Sequence, residues 1–397
     1  MKLAFKKPQR GGLSAAHFPT SSSSTLRILI ATVTAGAGHL QAAAALEEAW
    51  RELRPRDSVQ RLDVLDFTPR LYRKVYVEGY VQLVEHAPEL WAHVFKKTDN
   101  PQLIRRLARF RRTVAHLTTN KFVRRLKKFK PEAVLCTHYM PLEIMGRFKA
   151  KAKRTPAPLT VSVVTDFEAH ALWMEPSVDL YCVAAEETKA RLVARGATPE
   201  SVAVTGIPVA AKFSAPIEPA VIRKRLGLRD DLPTLLVLGG GFGMGPVAQI
   251  MRELNKLERL IQVLVVCGRN QELRRELALQ DRRHPTHVLG FVSNMQELMA
   301  VAELVITKPG GLTTSEALAM GKPIFVLNPI PGQEAANSDF LLEHGAAAKA
   351  NRLEDLPYRL DKLIGSTKLA EMAAAAQLLG KPQAASDICR QVLQRFK

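Results

Sequence analysis

The stretch "ATVTAGAGHLQAAAALEEAW" (residues 31–50) carries the end of an apolar run, a glycine turn and an alanine-rich helix in direct succession. A strand, a tight glycine loop and a helix in that order predict an α/β unit, and such a loop commonly cradles a phosphate or a mononucleotide. His39 departs from that use, because it follows Gly38 directly and a phosphate cradle has no special need of an imidazole. The loop is therefore either a nucleotide site or a site for a different chemistry built on the same geometry.

The rest of the chain repeats this alternation of strand-like apolar runs and helical patterns, which is typical of parallel sheets with crossover helices. The order restarts after "VTGIPVAAKF" (residues 204–213). The predicted strands are Leu26–Val33, Val59–Leu65, Ala133–Thr137, Thr160–Val164, Leu180–Ala184 and Val202–Thr205 in the first half, and Thr234–Leu238, Gln262–Val266, His287–Leu289, Leu304–Ile306 and Pro323–Val326 in the second.

We therefore predict an α/β protein of two facing, Rossmann-like, doubly wound domains, residues 26–206 and 207–381, with ligands in the cleft between them. Residues 1–25 are basic and serine-rich but lack the long apolar segment of a signal peptide, which predicts a disordered tail. Residues 382–397 are expected to form a C-terminal helix that packs back toward the N-terminal domain.

The composition points to a soluble globular protein. A chain of 397 residues exceeds one ordinary hydrophobic core, in keeping with two domains. The four cysteines are scattered and form no CxxC pair, and the first three, Cys136, Cys182 and Cys267, lie in apolar strand-like runs, which predicts core thiols in a reducing compartment. No apolar run approaches the roughly 18 residues that a membrane span needs.

The positive charge is concentrated in one region of the first half. The net charge of the chain is +19, and residues 67–154 hold 21 Lys or Arg against 6 Asp or Glu. Within residues 96–130 the ratio is 13 to 1. Such a local excess indicates a polyanionic partner, which is a nucleic acid, an anionic membrane surface or a phosphorylated substrate.

The most basic segment also has an apolar stripe at helical spacing. The stripe consists of Leu103, Leu107, Phe110, Val114 and Leu117, and a second basic segment adds Phe122, Val123, Leu126 and Phe129. This pattern fits a helix lying in a membrane interface, and equally a core-facing helix with a basic outer side. Aromatic residues placed for stacking on nucleic-acid bases are missing, so we expect a membrane and no nucleic acid. The expected membrane contacts are Arg105, Arg106, Arg109, Arg111, Arg112, Lys127 and Lys128.

Two glycine-rich turns in the second half suit a nucleotide. The first is "LLVLGGGFGMGP" (residues 235–246), with Gly240, Gly241 and Gly243, and is a weak signal by itself. In the second turn, Gly310 and Gly311 end a strand before a helix that opens with Thr313, Thr314 and Ser315. Free N–H groups and hydroxyls at a helix N-terminus suit a diphosphate. Glu316, expected in the first turn, either accepts hydrogen bonds from two ribose hydroxyls or simply complements the helix dipole.

These segments resemble a known family. "KPGGLTTSEALAMGKPIF" and "PGQEAANSDFL" resemble the nucleotide-sugar half of the inverting glycosyltransferases that include bacterial processive diacylglycerol glucosyltransferase and plant monogalactosyldiacylglycerol synthase. In the first half, "TAGAGHLQAAAAL", "THYMPLE", "TDFEAHALWMEPSVDLYCVAAEETKARL" and "VTGIPVAAKF" match the acceptor-domain motifs in order. The resemblance covers residues 26–349 and implies a GT-B fold that binds a UDP-sugar on the C-terminal domain and the lipid acceptor on the N-terminal domain.

The resemblance assigns roles to the candidate residues. An inverting transfer needs a base near neutral pH, which makes His39 the first candidate, although a turn histidine can also be structural. Asp166, at a strand end, orients His39, acts as the base itself, or caps a helix. On the donor side, Gln333 and Glu334 are expected to bind the sugar, supported by Asn337. The acceptor is expected near Gly38, His138, His170 and Trp173, of which Trp173 fits the core equally well.

No DxD motif occurs, so we expect no metal and no cofactor beside the UDP-sugar substrate. "GHLQAA" is closer to the bacterial glucosyltransferases, which favours UDP-glucose over UDP-galactose as the donor. Other acceptors, such as a polyprenyl-linked sugar or a sterol, remain open, as does a non-catalytic membrane- or RNA-binding protein on the same scaffold. The expected location is the cytoplasm, peripheral on the inner face of the cell membrane.

Overall fold

The structure is a computed structural model that describes residues 24–34, 36–151, 157–239, 245–327 and 329–396. Inside its helices, the side chains at positions 80, 81, 85, 105, 108–118 and 151 lie outside the description. Of the tail predicted over residues 1–25, only Ser24 and Thr25 are described.

The N-terminal domain is built on a six-stranded parallel sheet of order β2-β1-β3-β4-β5-β6. Its strands are β1 (Arg27–Thr32), β2 (Ser58–Asp63), β3 (Ala133–Cys136), β4 (Leu159–Val163), β5 (Leu180–Val183) and β6 (Val202–Val204). Ile28 of β1 pairs with Val59 on one side and with Ala133 on the other. The strand order reverses between β1 and β3, and ligands of doubly wound sheets bind at such a reversal.

The C-terminal domain repeats this plan with the order β12-β11-β10-β7-β8-β9. Its strands are β7 (Thr234–Leu238), β8 (Gln262–Val266), β9 (Thr286–Leu289), β10 (Leu304–Thr307), β11 (Ile324–Leu327) and β12 (Ala347–Ala350). Here the reversal lies between β7 and β10, so the two glycine-rich turns of the second half leave neighbouring strands. The predicted pair of doubly wound domains is confirmed.

Helices cover both faces of each sheet. They are α1 (Ala37–Leu53), α2 (Arg70–His86), α3 (Pro88–Thr98), α4 (Pro101–Phe129), α5 (Tyr139–Lys151), α6 (Glu186–Ala194), α7 (Pro219–Leu226), α8 (Val247–Leu254), α9 (Gln271–Leu279), α10 (Met295–Val301), α11 (Gly311–Ala319), α12 (Gln333–Glu343), α13 (Leu356–Leu363), α14 (Thr367–Leu379) and α15 (Ala384–Gln394). The inner strands are buried on both sides, which is why β1, β7, β8 and β10 read as nearly continuous apolar runs, whereas the edge strands β2 and β9 are partly exposed. Within the described ranges, no helix has both the length and the apolar character required to cross a bilayer.

Helix α4 bends at Thr119, whose φ of −120° and ψ of 19° depart from helical values. Beyond the bend, Phe122 and Leu126 are fully buried in the core of the N-terminal domain, and the Phe122 ring lies 5.7 Å from that of Phe67. The sequence left open whether the apolar stripe faces a membrane interface or the core, and for these two side chains the structure shows the core. They anchor α4 to its own domain, while Lys127 and Lys128 remain exposed.

The last helix crosses back to the first domain. Ile388, Cys389 and Val392 of α15 pack into the core beneath α1, together with Leu46 and Trp50. The Cys389 thiol lies 3.8 Å from the Leu46 carbonyl oxygen. The end of the chain therefore contributes to the N-terminal core.

Candidate active site

The strand reversal in the N-terminal sheet places the end of β1 beside the end of β3. Helix α1 begins just after Gly36, whose φ of 119° favours glycine, and carries His39 in its first turn. The Nδ1 atom of His39 lies 2.8 Å from the carbonyl oxygen of Thr137 and 3.0 Å from the hydroxyl oxygen of Thr165. Because a carbonyl oxygen only accepts, Nδ1 carries the ring proton and Nε2 carries the lone pair. His39 is thus held in the tautomer that a base at Nε2 requires.

The surroundings keep this imidazole neutral. Burial lowers the pKa of His39 to about 4, although the hydrogen bond to the Thr137 carbonyl acts in the opposite direction. The positive N-terminal end of α1 also disfavours an imidazolium. At neutral pH the ring is therefore in its basic, proton-accepting form.

His138 forms one wall of this site. Its Nδ1 accepts a hydrogen bond from the backbone N–H of Met140 at 3.1 Å, so the residue caps the start of α5. The ring stands edge-on to His39, with centroids 4.8 Å apart, and lies 4.1 Å from the ring of Tyr139. Burial, with a smaller contribution from His39, holds the pKa of His138 well below its usual range. The residue serves as a neutral aromatic wall next to the candidate base.

Two tyrosines complete this wall and were not singled out from the sequence. The hydroxyls of Tyr76 on α2 and Tyr139 on α5 lie 3.0 Å apart, and the Tyr76 ring also faces His138 edge-on. Tyr139 stands in the "THYMPLE" motif directly after His138, which was the available signal. Tyr76 comes from a helix distant in sequence, so no local pattern indicates its place.

His170 and Trp173 lie in the loop after β4. The Nδ1 of His170 accepts the N–H of Leu172 at 3.1 Å, and its Nε2–H donates to the carbonyl of Phe95 at 3.0 Å. Both ring nitrogens are therefore engaged inside the N-terminal domain. Trp173 is 4% exposed and belongs to the core of that domain. For Trp173, the structure shows the core position that the sequence left open.

Asp166 follows β4 and faces the other domain. Its Oδ1 accepts a hydrogen bond from the side-chain amide of Asn337 at 3.0 Å. Burial raises the pKa of Asp166 to about 6, although this hydrogen bond acts in the opposite direction. The groups that orient His39 are the Thr137 carbonyl and the Thr165 hydroxyl. The predicted orienting contact from Asp166 to His39 is therefore replaced by a contact to Asn337.

On the C-terminal domain, α11 begins at Gly311 and points its N-terminus into the cleft. Gly38, beside His39, faces this helix, because a Cβ added to Gly38 would lie 3.7 Å from the Leu312 Cβ. The hydroxyl of Ser315 donates to the Gly311 carbonyl at 2.8 Å, and Thr314 is fully buried. Thr313 is only half-buried. The first N–H groups of α11 and the Thr313 hydroxyl are thus the donors best placed for a diphosphate.

Glu316 is 7% exposed and lies in the second turn of α11, because the helix starts at Gly311. This placement corrects the expected first-turn position. Burial raises the pKa of Glu316 to about 8, although the charge of Lys212 acts in the opposite direction. A carboxyl group that accepts hydrogen bonds from both ribose hydroxyls must be ionised. Binding of a nucleoside at this position would therefore be coupled to loss of that proton.

The first turn of α12 brings a second carboxylate, that of Glu334, close to Gly310. The Oε2 of Glu334 accepts the N–H of Ile330 at 2.8 Å, and its Oε1 lies 3.9 Å from where a Cβ on Gly310 would stand. Burial raises the pKa of Glu334, with Lys308 lowering it and Asp166 adding to the rise. Gln333 opens α12 beside it.

Part of the predicted donor site lies outside the described residues, namely Gly240, Gly241 and Gly243. The same holds for the side chains of four predicted membrane contacts, Arg105, Arg109, Arg111 and Arg112, whereas Arg106 is exposed on α4. Across the described ranges, no cluster of three or more His, Cys, Asp or Glu residues is arranged to hold a metal ion.

Two family models match the chain, one over each of the two domains. Residues 39–209 match the family model described as monogalactosyldiacylglycerol (MGDG) synthase, and residues 234–388 match the glycosyltransferase family 28 C-terminal domain. A processive diacylglycerol beta-glucosyltransferase of Bacillus thuringiensis (strain Al Hakam) is 30% identical over 380 residues, which cover 93% of each chain.

Solved structures share the fold. Spinosyn rhamnosyltransferase SpnG has a TM-score of 0.62 at 17% identity, over 92% of this chain and 100% of that chain. HepE of Anabaena, in complex with UDP-glucose, has a TM-score of 0.56 at 15% identity, over 94% of this chain and 99% of that chain. The architecture is therefore GT-B, as the resemblance of the sequence implied.

Proposed function

The chain belongs to the family of diacylglycerol glycosyltransferases, and we propose that it moves a hexose from a UDP-sugar to the free hydroxyl of diacylglycerol with inversion at the anomeric carbon. The observation that carries this proposal is the His39 imidazole, held by Thr137 in the Nε2 lone-pair form beside the N-terminus of α11. The proposed base and the proposed cradle for the diphosphate would thus face each other across one cleft.

In the proposed reaction, the acceptor hydroxyl oxygen attacks the anomeric carbon in a single displacement. The bond from that carbon to the UDP oxygen breaks, and its electron pair leaves with UDP. The hydroxyl proton goes to Nε2 of His39. The Thr137 carbonyl, already hydrogen-bonded to Nδ1–H, stabilises the positive charge that the ring gains.

The donor is proposed to lie on the C-terminal domain. Backbone N–H groups at the start of α11 would hold the diphosphate and receive the charge of the leaving group, with no metal or other cofactor required. Glu316 would accept the ribose hydroxyls, and Gln333 and Glu334 the sugar hydroxyls. UDP-glucose is favoured over UDP-galactose on the "GHLQAA" motif. HepE, which shares this fold, was solved in complex with UDP-glucose, and this supports a UDP-sugar as the donor.

Access to diacylglycerol requires contact with a bilayer, because the lipid does not diffuse through water at useful concentration. We propose that α2, α3 and the start of α4 adsorb to the inner face of the cell membrane. Among the side chains described there, five large apolar ones are exposed, namely Leu71, Val75, Leu90, Val94 and Leu107. Exposed basic residues accompany them, namely Arg70, Arg73, Lys74, Lys96, Lys97 and Arg106. Apolar insertion combined with cationic charge is how a peripheral protein holds an anionic surface.

The decisive experiment mixes the purified protein with vesicles of diacylglycerol and an anionic phospholipid, and supplies UDP-glucose or UDP-galactose. We expect UDP release together with a glycosyl-diacylglycerol whose anomeric proton shows inverted configuration by NMR. His39→Ala should lower turnover by roughly 10²- to 10⁴-fold, the usual contribution of a general base, and leave UDP affinity nearly unchanged.

Product formed only with a polyprenyl-linked sugar or a sterol would change the acceptor in this proposal. Vesicle or RNA binding without UDP release from either donor would make the protein a non-catalytic member of the family. Full turnover by His39→Ala would remove His39 from the mechanism.

A further inference from the structure

Asn337 on α12 is fully buried at the junction of the two domains. Its side-chain amide donates to Asp166 Oδ1 and to the Pro309 carbonyl, each at 3.0 Å, and its oxygen accepts the N–H of Phe167 at 2.9 Å. Two of the three partners belong to the N-terminal domain. Both N–H donors of the amide are therefore engaged within the protein, and the supporting role at the donor site that the sequence suggested for Asn337 does not include donating to the sugar.

The segment Thr165–Phe167, at the end of β4, is held by the C-terminal domain at three successive residues. The Thr165 carbonyl oxygen lies so close to Gly311 that a Cβ there would overlap it and come within 3.2 Å of Asp166 Oδ1. The Phe167 ring stacks on Phe340, one turn after Asn337, with centroids 4.4 Å apart. This strip is thus the surface through which the first domain meets α11 and α12.

The same strip also contacts the candidate base, because the Thr165 hydroxyl lies 3.0 Å from Nδ1 of His39. The position of Thr165 therefore depends on both neighbours, His39 on one side and the C-terminal domain on the other. When the domains separate, the bonds of Asn337 to Asp166 and Phe167 are lost to water. Any shift of the strip is then transmitted to His39.

We infer that Asn337 is a positioning residue that aligns His39 with the donor only when the domains are closed. It acts through the strip Thr165–Phe167 and does not bind the donor. This inference rests on the proposed function, in which His39 lies on one domain and the UDP-sugar on the other. Closure then assembles the reacting groups, and Asn337 holds the assembled state.

The test compares Asn337→Ala with the matched control Ser338→Ala. Ser338 is the next residue of α12 and is equally buried, but among the described residues its hydroxyl has no hydrogen-bond partner. For Asn337→Ala we expect kcat to fall by about 10- to 100-fold, with UDP affinity within about twofold of the parent, since alignment is lost and donor contacts are not. Ser338→Ala should keep the parental kcat.

A conservative variant separates alignment from a general folding defect. Asn337→Asp places a second carboxyl group beside Asp166, and two adjacent carboxylates repel each other when both are ionised. Its activity relative to the parent should therefore be lowest near pH 8 and recover as the pH falls toward 5.5 and the pair takes up a proton. Asn337→Ala, which has no group to titrate there, should show no such recovery.

A structural readout keeps the two proposals apart. The backbone amide of Phe167 should exchange its hydrogen faster in Asn337→Ala than in Ser338→Ala, with or without substrates, because it loses its acceptor. Unchanged kcat in Asn337→Ala, or a fall in UDP affinity that accounts for the whole loss, would overturn the inference. If the parent protein transfers no sugar, the proposed function fails on its own, while the exchange rates still test the contact.

Discussion

At the scale of single residues, the position of one proton is central. The Thr137 carbonyl accepts from His39 Nδ1, so the lone pair of the imidazole must be at Nε2. Asp166, the other candidate base, is tied to Asn337 and its pKa is raised to about 6, whereas that of His39 is lowered to about 4. The two candidate bases therefore become protonated, and cease to act as bases, over different pH ranges.

A base works only when unprotonated, so activity falls as the pH drops through its pKa. With UDP-sugar saturating, we expect the acid limb of kcat/KM for diacylglycerol to lie below the ordinary imidazole value of about 6.5. The limb should also persist in Asp166→Asn, since His39 still titrates and the new amide can still accept from Asn337. A limb that disappears in Asp166→Asn would identify the carboxylate as the base.

The sequence indicated His39 because the strand, glycine turn and helix around it are contiguous. Its partner escaped prediction, since a backbone carbonyl 98 residues away has no side-chain signature. Asp166 was recognised by its place at a strand end, but its partner Asn337 lies 171 residues further on. Local motifs thus located the candidate groups, and only the fold shows which of them touch.

At the scale of elements, α3 has two different faces. Leu90 and Val94, one turn apart, are exposed, whereas Phe95 turns inward. The Phe95 ring lies against Gly332, where an added Cβ would come within 2.8 Å of the ring, and 4.4 Å from the ring of His170. The helix proposed to adsorb to the bilayer therefore also contacts the loop that opens α12.

Replacing Leu71, Val75, Leu90 and Val94 together by serine should weaken binding to vesicles of anionic phospholipid by at least about tenfold. Each large apolar side chain stabilises its buried state by about 1.5–3 kcal/mol when fully inserted, and partial insertion of four still exceeds the 1.4 kcal/mol of a factor of ten. Sedimentation with vesicles measures the effect, and salt should weaken the charge contribution further.

The matched control replaces Leu260, Leu279 and Leu378 by serine, because these leucines are as exposed but lie on the C-terminal domain. That variant should sediment as the parent does. Equal sedimentation of the α2–α3 variant and the parent would place the membrane contact on another surface. UDP affinity should be unchanged in both variants.

The pattern of apolar residues in the sequence predicted the strands that are rich in branched apolar residues. It did not predict the edge strand β12, and it did not identify the partner of the apolar stripe of α4. Eleven strands were predicted, and the structure adds β12, "AAKA", at a sheet edge. Alanine and lysine have low intrinsic strand propensity, so the extended conformation of β12 is stabilised by its pairing with β11. The apolar stripe of α4 was detected, but periodicity cannot distinguish a core from a bilayer as its partner.

At the scale of the whole molecule, the two connections between the domains touch each other. Gly206 has a φ of 88°, and a Cβ there would lie 2.5 Å from the Cβ of Lys381 and 3.1 Å from that of Ala384. Residues 206 and 381 were the boundaries predicted from the sequence. Because the two connections lie side by side, they can act as one hinge, and the simplest relative motion of the domains is a rotation about that hinge. The contacts at Gly311 and Asn337 then determine how closely they shut.

Gly311→Ala should act on that closure alone. Gly311 lacks a positive φ and is the first residue of α11, so alanine suits its backbone and α11 should remain intact. The new Cβ, however, would overlap the Thr165 carbonyl oxygen and stand 3.0 Å from its carbon, and a backbone carbonyl cannot turn aside. We expect turnover to fall by roughly 10²-fold, since a displacement of about 1 Å between reacting groups costs that much. The melting temperature and the UDP affinity measured by calorimetry should stay near those of the parent.

Gly79→Ala is the control, because that helical glycine has nothing within 4 Å of the added carbon. A fall in UDP affinity that matches the fall in turnover would mean that Gly311 acts on the donor and that closure does not depend on it.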